Sequence, residues 1–141
     1  MRKAIYIGLL GLLISCSTNK EVVKTNLRND QMFELTEIST DPTYGLSEKN
    51  PVLVGGVDKG EGPLNERRFL NALAGPNGES ISYYRSRSCC PIKSDKAIFG
   101  NSILLDNYFV TWEGTTDTVS IFINMYDYGT LKAPVGFTIK N

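Results

Sequence analysis

The sequence predicts an α+β domain in which one helix packs on an antiparallel sheet of four or five strands. Three observations predict it. One segment, Gly62 to Leu73, carries helix signals; runs of alternating apolar and polar residues precede and follow it; and the two longest runs are joined by a connection short enough for a hairpin. Strands on both sides of a lone helix, with hairpins between them, fit an α+β layer better than repeated parallel β-α-β units.

Phe33 to Ser39 alternates, with Phe33, Leu35 and Glu37 on one side, and reads as the first strand. Asp41-Pro42-Thr43-Tyr44-Gly45 has turn chemistry, and Pro51-Val52-Leu53-Val54 is a short second strand closed by Gly55-Gly56. Gly62-Pro63 opens the helix, because a proline in the first turn forfeits no intrahelical hydrogen bond. Leu64, Phe69, Leu70, Ala72 and Leu73 gather on one side, and Glu66-Arg67-Arg68 reads as a solvated face. Gly75-Pro76 ends the helix. Asn77-Gly78 then turns the chain into a strand in which Ile81 and Tyr83 alternate with serine. Ile103 to Glu113 is a longer strand whose Tyr108, Val110 and Trp112 share a face. Gly114-Thr115-Thr116-Asp117 turns it into a partner strand, where Val119, Ile121, Ile123 and Met125 form the apolar side of an antiparallel hairpin.

The N-terminus reads as an address. Met1-Arg2-Lys3 is basic, Ala4 to Ile14 is almost wholly apolar, and Leu13-Ile14-Ser15 leads into Cys16. The apolar run is shorter than the roughly 20 residues a spanning helix needs, and its flanks are those of a cleaved export signal. Residues 1–15 are expected to be a lipoprotein signal peptide, with Cys16 acylated after cleavage. Several acyl chains would then hold the protein to a membrane, expected to be the outer membrane of a cell envelope. Residues 16–32, polar and without apolar periodicity, read as a flexible tether, and 33–141 as the globular domain.

Without residues 1–15 the chain has 126 of its 141 residues, 13 basic and 15 acidic. A mildly acidic chain lacks the cationic footprint that nucleic acid selects, so nucleic-acid binding is set aside. The sequence contains no histidine, which argues against Ser-His-Asp and Cys-His catalysis and most zinc sites. The residues call for no cofactor and no resident metal.

Cys89-Cys90-Pro91 is the sharpest local feature. Adjacent Cα atoms lie about 3.8 Å apart, below the usual disulfide range, so the pair reads either as a vicinal redox or soft-metal grip or as two small buried residues at a strand end. Arg85 and Arg87 nearby would favour thiolate. Tyr83, Trp112, Tyr126 and Tyr128 are candidates for a ligand surface, although aromatics at strand positions more often serve a core. Gly55 to Gly62 before a helix is a weak anion-loop signal, opposed by Asp58 and Glu61.

Several strings resemble a family of small envelope lipoproteins from Bacteroidota-type bacteria: Glu48-Lys49-Asn50-Pro51, the stretch from Gly62-Pro63-Leu64-Asn65 through Gly78-Glu79, Ser88-Cys89-Cys90-Pro91, and Ile123-Asn124-Met125-Tyr126-Asp127-Tyr128-Gly129. The resemblance runs from about Phe33 to Phe137 and implies a lipid-anchored envelope protein without assigning a mechanism. Some members of that family carry the label 2-dehydro-3-deoxyphosphooctonate aldolase. That activity resides in a (β/α)₈ barrel of roughly 200 residues or more, which this chain is too short to form. The sequence therefore leads to a non-enzymatic binding or interaction module engaging an envelope protein or surface ligand. The alternative is a thiol-based redox or metal-handling protein centred on Cys89 and Cys90.

Overall fold

The computed structural model describes Val23 and residues 25–141; residues 1–15, expected to be a signal peptide, and Cys16 lie outside the described residues. The order of elements is β1 (Leu27–Asn29), β2 (Met32–Phe33), β3 (Val52–Leu53), α1 (Gly62–Asn71), β4 (Leu73–Ala74), β5 (Ile81–Lys93), β6 (Ser102–Trp112), β7 (Val119–Asn124) and β8 (Thr138–Ile139). A four-stranded sheet runs β3-β7-β6-β5, and two-stranded sheets pair β1 with β2 and β4 with β8.

The fold is a small α+β domain, and its main sheet is mixed rather than purely antiparallel. β5-β6 and β6-β7 are antiparallel, but β3 runs parallel to β7, with Val52 opposite Ile123. Short connections force neighbouring strands to reverse, whereas β3 and β7 are separated by the helix and a whole hairpin, which leaves β3 free to enter in either direction.

Alternation correctly places the faces of the long hairpin. Tyr108, Val110, Ile121 and Ile123 point into the core with Val52, Val54, Phe69, Leu70, Leu73 and Phe137. The first predicted strand is corrected. β2 stops at Phe33, Leu35 is buried without regular pairing, and Ile38 makes only an isolated parallel bridge to Ala133. A strand needs a partner along its length; here the backbone of Ser39 and Ala133 supplies single bonds instead.

The segment read as tether joins the fold from Leu27 onward. Arg28 Nη1 donates to the Lys140 carbonyl at 2.7 Å, and Asn71 Nδ2 donates to the Gln31 carbonyl at 2.8 Å. Polar residues hide such docking from a periodicity reading, because the bonds run to distant backbone.

The solvated face assigned to the helix is also corrected. Glu66 is 1% exposed and Arg68 9%, leaving Arg67 as the exposed member of the three. Glu66 precedes Phe69 by three and Leu70 by four, so it shares their side of the helix. Arg68 fastens α1 to the β1-β2 turn, donating from Nε to the Asp30 carbonyl at 2.8 Å and from Nη1 to Asn65 Oδ1 at 2.9 Å. Asn65 in turn donates to the Gly55 carbonyl at 3.2 Å, which binds the helix to the end of β3.

Candidate functional site

The first half of α1 lies across the sheet face formed by β5 and β6, and a cleft of about 420 Å³ opens between them. Its wall includes Glu66 and Arg67 from the helix, Tyr83 and Arg85 from β5, and Asp106 and Tyr108 from β6. A register shift in β5 between Arg85 and Arg87 assembles it. In an unbroken strand, residues 85 and 88 would face opposite sides; the extra residue brings Ser88 opposite Asp106 while Arg85 stays opposite Tyr108. Arg85 Nη2 and the Ser88 hydroxyl therefore both donate to Asp106 Oδ1, each at 2.7 Å. The Arg85–Asp106 ion pair has its carboxylate end inside and its guanidinium end half exposed.

Above Asp106 sits Glu66. The Tyr108 hydroxyl donates to Glu66 Oε2 at 2.8 Å, while Oε1 is one of two buried side-chain atoms among the described residues with no partner. An ionised carboxylate there would lack solvent and face a second acid. Burial first, and the adjacent Asp106 charge second, push the Glu66 carboxyl from its usual 4.5 up to about 8. A proton on Glu66 resolves the geometry, because a carboxylic acid can donate to Asp106, within hydrogen-bonding reach, where two carboxylates would only repel. The Tyr108 hydroxyl also rises, through burial and then the Glu66 charge.

The four aromatics singled out by sequence do not converge. Tyr83 lines this cleft, its ring edge-on to Tyr108 at 6.1 Å and its hydroxyl bonded to Asn71 Oδ1 at 2.7 Å. Trp112 packs edge-on against Phe137, Tyr126 lines a groove near the β5-β6 loop, and Tyr128 lines a separate cleft with Val23 and donates to Asp58 at 2.7 Å. Cys89 and Cys90 form a disulfide at a second register shift in β5. The pair is half-buried opposite Leu105, on the sheet face away from Asp106. Arg85, expected to favour thiolate, turns instead to Asp106. The Gly55–Gly62 loop forms a 3₁₀ turn at Val57–Lys59.

Sequence reasoning missed the pairing of Glu66 with Asp106, although the signals were present. Asp106 is two residues before Tyr108, hence on the side assigned to the core, and Glu66 shares the helix side of Phe69 and Leu70. No protein-family model, curated protein or solved structure matches the chain. Among the described residues, no group of three or more Cys, Asp or Glu side chains is placed to hold a metal ion.

The Glu66 carboxyl, held above its ordinary range, makes stability depend on pH. Below about 4.5 folded and unfolded chains both hold the proton and its stabilising contribution is whole. As pH rises from there to about 8 only the unfolded chain releases it, so stability falls by up to a few kcal/mol and then levels. Glu66→Gln, which can donate to Asp106 and accept from Tyr108 at every pH, is expected to flatten that decline. Urea unfolding of both proteins at pH 5, 7 and 9 measures it, and parallel pH profiles would contradict the assignment.

Proposed function

We propose that the chain is a lipid-anchored cell-envelope protein, held to the outer membrane through acyl chains on Cys16, whose domain binds a neutral, hydroxyl-rich ligand of the sugar class without transforming it. The observation that carries the ligand reading is the mixed character of the cleft wall. Arg67 and Arg85 offer donors, Asp106 offers an acceptor, and the Tyr83 and Tyr108 rings and Met125 supply apolar surface. A bare anion meets Asp106 and a bare cation meets two guanidinium groups; hydroxyls, which both donate and accept, suit all three. Ring edges and flat apolar surface suit the C–H faces of a sugar. Glu66 keeps its proton inside the wall, so the acid pair shapes the cleft rather than exchanging protons with an occupant.

NMR titration with glucose, N-acetylglucosamine and maltose tests this. Shifts confined to Tyr83, Arg85, Asp106 and Tyr108 are expected at millimolar sugar, weakened about tenfold by Arg67→Ala through loss of a charged hydrogen-bond donor. Shifts with acetate or guanidinium in place of sugars, or with none of these, would contradict it.

One observation favours a second reading, redox switching at Cys89-Cys90. Cys90 adopts φ 61°, a left-handed backbone that costs a non-glycine residue about 1–2 kcal/mol. Two electrons and two protons from a dithiol donor would open the bond to two thiols and free the strand, next to the Ser88 that bonds Asp106. Thiol trapping with and without mild reductant, combined with the sugar titration, checks it: this reading expects two trapped thiols and altered binding, and a bond that resists reduction opposes it.

A further inference from the structure

We propose that the tip of the β5-β6 hairpin, carrying Ile98 and Phe99, docks into the surface of the bilayer to which the chain is anchored; this rests on the anchor reading above. Ile98 is 74% and Phe99 89% exposed, on a loop that projects past the end of β7. The loop is built rather than loose. Ser94 N donates to the Asn101 carbonyl at 3.1 Å, Ala97 N to the Ser94 carbonyl at 3.3 Å and Lys96 N to Ser94 Oγ at 3.0 Å. A folded turn that holds two large apolar side chains in solvent forgoes the burial that both would gain elsewhere.

Chain connectivity identifies what covers it. At the base of the loop the Ser94 hydroxyl donates to both oxygens of Asp127, at 3.1 and 3.0 Å, and Asn124 Nδ2 holds the same carboxylate at 2.8 Å. The next residue, Tyr128, lines the cleft that also contains Val23, where the described chain begins. The hairpin base and Val23 thus lie toward the same end of the domain. Cys16 and Val23 are seven positions apart, a span of at most about 25 Å when fully extended. An acylated Cys16 therefore confines this end of the domain to the neighbourhood of the lipid surface.

The chemistry of the tip agrees. Lys93 and Lys96 precede Phe99 in the same loop, against the single acid Asp95, and an aromatic side chain with lysines close in the chain is the pattern that rests in the interface of an anionic leaflet. A second copy of the chain is a poorer occupant, because a two-residue tip offers far less than the roughly 800 Å² per partner of a stable protein interface.

The test uses the full-length acylated protein, its Cys16 modification established by intact mass, incorporated into phosphatidylethanolamine–phosphatidylglycerol vesicles carrying a doxyl-labelled lipid quencher. Phe99→Trp adds a reporter at a position already in solvent, and Trp112 at the far end of β6 is the internal reference. Expected are flotation with the vesicles, a blue-shifted added emission and its loss to the quencher, with Trp112 in the unsubstituted protein unaffected. Flotation with water-like, unquenched emission would overturn tip docking and leave the anchor standing. Blue-shifted but unquenched emission would place the tip against protein and also overturn it. Protein that does not float overturns the anchor and the docking together.

Discussion

The burial of the Glu66 carboxyl beside Asp106 is the constraint around which the cleft is arranged. Helix and sheet meet there through two acids, and two ionised carboxylates in a dry interface would force the layers apart. A proton on Glu66 removes the repulsion, and the Tyr108 hydroxyl ties the sheet to the helix. The energetic choice is decided by magnitude. A buried neutral acid with partners costs little, whereas a buried unpaired charge costs several kcal/mol, so the proton stays.

The rest of the wall follows from that burial. Asp106 is left as the charged member, and its charge is met by Arg85 and by the Ser88 hydroxyl, which the register shift in β5 turns to the same face. Had β5 continued unbroken, Ser88 would lie on the reverse side and Asp106 would depend on Arg85 alone. A backbone irregularity thus sets the polarity of the cleft. The second irregularity, at Cys89-Cys90, lies immediately beyond.

The parts of the fold legible in sequence are those governed by local rules. Helix α1 announces itself by Pro63 and by the spacing of Phe69, Leu70 and Leu73, and the β6-β7 hairpin by apolar faces on either side of a short turn. The two-residue strands β3, β4 and β8 were harder. Val52-Leu53 was legible as a strand, but its parallel partner lies some seventy positions away, and neither hydropathy nor turn chemistry encodes that distance. Leu73–Ala74 reads as the end of the helix until its pairing with Thr138–Ile139 is seen. At the site, the residue-type prior misled: glutamate and arginine on a helix are usually solvated, and Glu66 and Arg68 are exceptions because partners on other elements meet them. Of the residues nominated for function, Tyr83 reaches the cleft, while Trp112 joins the core edge and Tyr126 and Tyr128 line other surfaces.

The most direct measurement is a ¹³C NMR titration of the Glu66 side-chain carboxyl in protein labelled at glutamate, assigned by comparison with Glu66→Gln. The account predicts a midpoint near 8, well above the ordinary 4.5. A Glu66 signal that titrates in the normal glutamate range would show an ionised carboxylate in the wall at neutral pH, and the protonated Glu66, with the cleft chemistry built on it, would be wrong.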